Sequence, residues 1–390
     1  MTTQEQPRVD ADYLLVGGGL QNALILMALA KRRPDASIIL LERDAGIGGN
    51  HIWSFQARDL PESAFDWAVP LIEYEWPGYQ LFFKESTRWV KGAYRSLSSD
   101  HLDRVVRAVA DASSRIELRF NADVRQVLAE EVELADGSRL RGRVVIDARG
   151  PEQGGNSPGG GYQKFVGLEC HLSRPAPTTV PILMDSRCRQ RDGFRFFYIL
   201  PFAADRVLIE DTYFSNRPDL DVDAIRASIL AEAPDFGLEV DAVLRTEVGV
   251  LPMPALSTFH PKSRGPIVAG YAGGWFNPST GYSLAAASRL AEHLSKTPFD
   301  DLFGRDWRRL TRYLRRQSIF LAALNLLMFR WFHDDKRRRL MERFYLLPDA
   351  VIHRFFAMET TLVDWWRIMY VGAPWTPKGR GRRARTPEQP

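Results

Sequence analysis

The sequence is almost without cysteine: Cys170 and Cys188 are the only two in 390 residues, and they form no CxxC pair. That excludes a disulfide framework and a zinc-ribbon spacing, and it predicts a reducing cytoplasm. No metal site is expected. No stretch offers the roughly 18 or more uninterrupted apolar residues that a membrane-spanning helix needs. Internal repeats are missing as well. What is present is ordinary: 45% hydrophobic and 26% charged residues, the balance of a globular protein and not of a disordered, collagen-like or polytopic membrane chain. The length predicts two domains, or one large α/β unit with an appendage.

The net charge of +4 conceals an uneven distribution. Arg305 to Arg343 holds twelve Lys/Arg against four Asp/Glu, or +8, and Pro374 to Pro390 adds +4, leaving −8 for the remainder. A basic C-terminal region on an acidic body predicts an anionic partner surface, either nucleic acid or a lipid headgroup layer.

The first apolar run, Tyr13 to Ala30, is interrupted by Gly17, Gly18, Gly19, Gln21 and Asn22, and a second run follows at Ser37 to Leu41. This predicts strand, glycine turn, helix, strand, and not a signal peptide. Further on, His101 to Ala112 has helical spacing. Strands are expected at 116–120, 124–128 and 144–146, with a hairpin at Asp136-Gly137. Pro151 to Gly161 is rich in Gly, Pro, Ser and Asn and marks a boundary. The next segment, to about Val250, is strand-rich, with Phe194–Leu200 and Arg206–Tyr213 predicted as an antiparallel pair. A short strand at 266–270, a helix from about Tyr282 to Leu294, and a mostly helical region from Asp301 to about Tyr370 complete the chain.

Gly17-Gly18-Gly19-Leu20-Gln21-Asn22 is a variant of the GxGxxG turn, in which glycine lets the backbone approach a pyrophosphate at a helix N-terminus. Asn22 stands where the third glycine is usual, so helix–strand packing there must be met by small residues nearby. Glu42 ends the next strand, where an acid binds a ribose hydroxyl, and it favours FAD or NAD over direct NADP binding. The aromatic segment Trp76 to Tyr94 then interrupts the domain. An interrupted Rossmann domain completed by a late glycine segment is the layout of flavoproteins related to the aromatic hydroxylases.

Several blocks resemble one family in order. They are Asp12 to Ala28, Gly48-Gly49-Asn50-His51-Ile52-Trp53, Asp147-Ala148-Arg149-Gly150-Pro151, and Phe165-Val166-Gly167. Next come Pro181 to Asp185, Asp192 to Phe196, Leu208-Ile209-Glu210-Asp211-Thr212, and Phe276 to Ser283. Together they resemble the flavoprotein-type bacterial lycopene β-cyclases. The resemblance implies FAD in its reduced form, NAD(P)H as electron donor, and carotenoids with ψ end groups, lycopene first, as substrates. It implies closure of the acyclic ends into β-ionone rings, through γ-carotene to β-carotene, with no change of formula. The cofactor-binding residues it points to are Gly17, Gly18, Gly19, Leu20, Glu42, Gly49, His51, Gly150, Gly281 and Tyr282.

The expected fold class is α/β: an FAD-binding Rossmann-type domain interleaved with a β-rich substrate domain, plus a mostly helical C-terminal region. The expected division is an FAD domain of 1–75, 95–160 and 262–298, and a substrate domain of 76–94 and 161–261. Residues 299–375 are expected to be helical and membrane-associating, and 376–390 a disordered basic tail.

Acid-initiated cyclisation needs a carboxyl group kept protonated, and burial among apolar groups does this. Glu210 in Val207-Leu208-Ile209-Glu210-Asp211-Thr212 is the expected catalytic acid. Strand alternation separates it from Asp211, which belongs to the same candidate pair but is expected to hold structure. Phe194, Phe196, Tyr198, Trp275 and Phe276 are candidate cation-stabilising aromatics, of which no more than about a third are expected at the cavity. A helix N-terminus after Gly281 suits the charge of reduced flavin. Gly270-Tyr271 replaces the Gly-Asp usual in flavin hydroxylases, which weighs against a hydroxylase. The alternative is an FAD-dependent monooxygenase or reductase acting on a polyisoprenoid. Ser318 to Phe329, flanked by arginines, is expected to lie at the inner face of the cell membrane with its apolar side in lipid. The partner is then an anionic membrane surface and not nucleic acid. Oligomeric state stays open.

Overall fold

The glycine turn sits between a buried strand and a helix with little polar surface. That combination explains why the apolar run from Tyr13 continues through the turn: in a doubly covered parallel sheet both elements are buried all round. The computed structural model describes residues 9–150, 157 and 159–372. The chain opens with β1 (Ala11–Val16), α1 (Leu20–Arg32), β2 (Ile38–Leu41), β3 (Ile52–Gln56) and a one-turn α2 (Phe65–Ala68). It continues through β4 (Tyr74–Phe82), β5 (Thr87–Ser98) and α3 (Ser99–Asp111). Four strands follow: β6 (Ile116–Arg119), β7 (Val124–Val127), β8 (Glu131–Leu134) and β9 (Arg139–Asp147). Then come β10 (Gly161–Leu172), β11 (Ile182–Asp185), β12 (Phe194–Ala203) and β13 (Arg206–Ser215). The remainder is α4 (Val222–Glu232), β14 (Val240–Met253), β15 (Ile267–Val268), α5 (Leu284–Lys296), α6 (Arg305–Leu326), α7 (Asp334–Phe344), α8 (Asp349–Phe356) and α9 (Leu362–Gly372).

Two sheets carry the architecture. The first has the order β6-β2-β1-β9-β8-β7, with β15 beside β9; β6, β2, β1, β9 and β15 run parallel. The second has the order β14-β10-β13-β12-β11-β4-β5-β3 and is antiparallel except at β11–β4. β3, β4 and β5 therefore all belong to the second sheet. The excursion runs from residue 52 to 98 in strand pairing, wider than the aromatic segment 76–94, because Ile52–Gln56 pairs with Tyr94–Ser98. The segment 52–56, expected with the nucleotide unit, lies outside its sheet.

Local rules set the helix ends. Ser98 accepts the amide of His101, and this N-cap starts α3 two residues before the expected His101. Its buried face is Leu102, Val106 and Ala110, the i, i+4, i+8 row of an amphipathic helix. The hairpin at Asp136-Gly137 joins β8 to β9 with Gly137 at φ +85°. The helix expected from Tyr282 runs from Leu284 instead, since Gly281 at φ +72° holds the preceding loop.

The C-terminal helices depart furthest from expectation. In the segment expected to face lipid, Ser318, Phe320, Leu321, Ala322, Asn325 and Phe329 are buried against the protein. Only residues on the opposite side, such as Ile319 and Leu326, are exposed. Arg337, expected on the surface, is 0% exposed. It donates to the carbonyls of Phe214 (3.1 Å) and Met328 (3.1 Å) and to Asn216 (2.8 Å), and pairs with Asp334 at 2.8 Å. Backbone carbonyls near the end of β13 and within the π-turn 327–331 hold this guanidinium inside the protein. Among the described residues no helix is long and apolar enough to cross a membrane. The basic tail at 378–385 and most of the glycine-rich boundary at 151–158 lie outside the described residues.

Candidate active site

One cavity of about 1110 Å³ runs from the glycine turn, past the cavity face of the second sheet, to the C-terminal helices. Of the residues singled out in the sequence, Gly17, Gly19, Leu20, Glu42, Gly49, His51, Gly150, Glu210, Gly281 and Tyr282 line it. Gly18 lies behind the lining, and Asp211 faces away.

At the nucleotide end the glycines answer to geometry. Gly17 has φ +94°, and a Cβ there would sit 2.9 Å from the Ala148 backbone. Gly19, the residue before α1, faces open space. Gly18 donates its N–H to Glu42, which also accepts from Asp44 at 2.9 Å; this fixes the carboxylate at the turn. Asn22 is fully buried and donates to the carbonyls of Val16 (3.0 Å) and Gly17 (2.8 Å). It tethers the turn, a role beyond the small-residue packing that the sequence suggests. Where hydroxylases carry an acid, Tyr271 stacks on Phe276 at 4.3 Å and donates to the Gly281 carbonyl.

At the other end, β13 sorts its residues by alternation. Glu210, Thr212 and Phe214 share one side; Asp211 and Tyr213 share the other. Glu210 is buried and accepts the Thr212 hydroxyl. Burial, then the neighbouring Glu247 charge, push its carboxyl up to about 8, against the Thr212 hydrogen bond. The register sets Tyr198 of β12 opposite it. Tyr198 bonds to Tyr94, and Tyr94 to the partly buried Tyr282 at 3.0 Å, so three phenols satisfy one another beside the acid. Burial raises all three above the ordinary tyrosine range.

Asp211 lies at 0% exposure in a two-pronged ion pair with Arg195, 2.8 Å on each oxygen, and accepts Tyr213 at 2.7 Å. Arg195 continues to Glu232 of α4 at 2.7 Å. This network ties the back of the sheet to α4.

Of the aromatics proposed from sequence, Phe196 and Tyr198 line the cavity, whereas Phe194, Trp275 and Phe276 pack into the core. Sequence pattern alone did not single out Glu247 and Tyr94. Glu247 lies on β14 and Tyr94 on β5, and nothing local reports which strand each one faces across the sheet. The far mouth is bordered by Trp331, Phe332, Ile368 and Met369. Trp331 is 75% and Trp366 64% exposed, with Leu362, Val363 and Tyr370 also exposed.

The family described as "Lycopene cyclase protein" matches residues 12–382. The lycopene beta-cyclase of Pseudescherichia vulneris is 36% identical over 379 residues, 96% of each chain. That of Paracoccus sp. is 36% identical over 387 residues, covering 97% of this chain and 98% of its own. Among solved structures, a geranylgeranyl bacteriochlorophyll reductase-like protein from Thermoplasma acidophilum superposes with a TM-score of 0.66 at 12% identity, over 94% of this chain and 97% of its own. PqsL of Pseudomonas aeruginosa, described as a probable FAD-dependent monooxygenase, gives 0.59 at 16% identity, over 85% of this chain and 99% of its own. At such identities the structures speak for a shared flavoprotein fold.

Proposed function

The chain belongs to the lycopene cyclase family, and from that premise we infer that it is a lycopene β-cyclase, closing acyclic ends of lycopene into β-ionone rings. The finer chemistry we propose is a non-redox, acid-initiated isomerisation. The observation that carries it is the position of Glu210, a buried carboxyl with a raised pKa on the wall of a large aromatic cavity.

Glu210 gives its proton to the terminal double bond of a ψ end. The next double bond attacks the resulting tertiary cation, a carbon–carbon bond forms, and loss of one proton leaves the ring alkene. Formula and oxidation state are unchanged. Phe196, Tyr198 and Tyr282 offer electron-rich faces to the cavity, and Tyr94 satisfies the two tyrosine hydroxyls, which stabilises a cation without trapping it. Such contacts contribute about 2 kcal/mol or more when desolvated.

The nucleotide end fits FAD. The strained Gly17, the open N-terminus of α1 at Gly19 and the anchored Glu42 suit a pyrophosphate and a ribose. Gly49, His51, Gly150, Gly281 and Tyr282 border the space that remains. Reduced flavin, when bound, would supply negative charge beside the cavity; NAD(P)H is the proposed electron donor.

The far mouth supports peripheral attachment to the inner face of the cell membrane. Trp331 and Met369 stand exposed there, Trp366 is exposed on the same helix as Met369, and Arg330, Lys336 and Arg339 are exposed nearby in the chain. Aromatic and basic residues of this kind settle at an anionic headgroup layer, from which a long hydrocarbon enters without crossing water.

Expression in a lycopene-accumulating bacterium, with pigments separated by chromatography, tests the activity. γ- and β-carotene are expected; unchanged lycopene beside folded, flavin-loaded protein would overturn it. The fold shared with a monooxygenase gives one rival reaction. Anaerobic turnover with chemically reduced flavin and no nicotinamide separates the two, since an absolute oxygen requirement belongs to the rival.

A further inference from the structure

Three neighbouring strands build the wall around the acid. Gly167 on β10 is in register with Glu210 on β13 at one side and with Glu247 on β14 at the other. Residues directly opposed in an antiparallel sheet point to the same face. The two carboxylates therefore stand on the cavity face with a single glycine between them, and both are buried. Gly167 leaves that space clear: even a Cβ there would come within 3.2 Å of Leu208 and 3.6 Å of the Glu210 side chain.

The two carboxylates have unequal partners. Ile52 donates its N–H to both oxygens of Glu247 at 3.2 Å, and His51 Nδ1 lies 3.2 Å from its Oε1. These contacts clamp the Glu247 carboxyl at both oxygens. Glu210 receives one hydroxyl, from Thr212. The groups facing Glu210 are Glu247 from β14, Tyr198 from β12, Tyr282 from the loop before α5, and Thr212 on its own strand; Asp211 stands behind it. None of these is a cation, and Asp211 spends its charge on Arg195.

We propose that Glu247, clamped by Ile52 and His51 and set across a glycine gap from Glu210, is the positioning residue of the acid, its carboxylate holding the proton on Glu210. Two carboxylates with environments of this asymmetry divide into one anion and one acid. The proposal rests on Glu210 being the proton donor. It gives Gly167 a purpose as well, because a side chain there would occupy the space beside Glu210 and press on Leu208. His51, expected from the sequence to serve the cofactor, gains a second role in holding the anion.

The test is the pH profile of cyclisation by the flavin-loaded enzyme on lycopene in vesicles, with dithionite as reductant. Wild type should lose activity as pH rises through about 8. Glu247→Gln should retain most activity near pH 6 and lose about fivefold more than wild type near pH 8, approaching tenfold above about pH 9, for a displacement of roughly one pH unit. Glu247→Asp restores the charge and should restore the wild-type profile. In the infrared, the carbonyl band of protonated Glu210, identified by its absence in Glu210→Gln, should vanish at lower pH in Glu247→Gln; this readout needs no turnover. A Glu247→Gln enzyme reduced equally at every pH, with its infrared titration unmoved, would overturn the proposal and leave Glu247 a structural residue. Wild-type cyclisation by Glu210→Gln would instead remove the premise about the acid.

Discussion

Glu210 and Asp211 are adjacent in the chain and live in separate environments. Glu210 lines the cavity with one hydroxyl partner, whereas Asp211 is locked on the opposite face by Arg195 at 2.8 Å. One strand thus carries a cavity-facing carboxyl forward and an ion-paired carboxylate behind.

Glu210→Gln should lower cyclisation by roughly 10²–10⁴-fold, the usual contribution of a positioned acid. It keeps shape and polarity, so flavin retention should not change. Product formation and flavin content, measured on the same preparation, check this; near-normal turnover would move the acid to another carboxyl of the cavity wall, such as Glu247.

Removing Asp211 should act on stability. Asp211→Asn leaves Arg195 buried with half its compensation, and loss of one partner of a buried pair costs about 3–5 kcal/mol. Urea unfolding should show the loss, with Glu232 retaining part of the pairing. A variant of full stability and no activity would argue for a chemical role instead.

The protonation of Glu210 also links folding to pH. Its folded pKa, about 8, lies above the ordinary 4.5. The folded state binds the proton more tightly, so this contribution to stability is complete below about pH 4.5 and is lost as pH rises through about 8. Thermal unfolding from about pH 6 to pH 9 should show a smaller fall in Tm for Glu210→Gln than for wild type. Asp59, whose carboxyl is raised to about 7 by burial, contributes in the same direction to both proteins.

Gly17→Ala should be purified with little flavin. The new Cβ meets the Ala148 backbone at 2.9 Å and the residue must hold φ +94°, a conformation costing about 1–3 kcal/mol outside glycine. Absorbance at the flavin band per mole of protein reads the effect.

At the membrane, Trp331→Ala with Trp366→Ala should weaken vesicle flotation in low and high salt alike. Arg338→Gln with Arg339→Gln should weaken it mainly at low salt, because headgroup attraction is screened. Arg337→Gln should instead destabilise the fold, since that side chain is buried among backbone carbonyls. Undiminished flotation of the tryptophan pair would remove the far mouth as the docking face.

Much of the site was legible from short-range rules. The glycine turn, Glu42 at the strand end, and the separation of Glu210 from Asp211 follow from backbone geometry and two-residue alternation, which act over a few positions. The late strand–glycine–helix segment was legible for the same reason, and its helix start missed by two residues.

Position across the sheet was not. Glu247 faces the acid only because β10 places Gly167 between two distant strands, and Tyr94 meets Tyr198 only because β5 and β12 are strands of one sheet. The arginine-flanked segment after Ser318 has the composition of a membrane-surface helix. Its apolar side was claimed by the protein core, and Arg337 by the carbonyls of Phe214 and Met328. Composition and periodicity determined which residues seek burial and which turns need glycine. Which surface buries them, and which carboxylate meets which, were decided by strand order and helix packing, because those contacts join residues far apart in sequence.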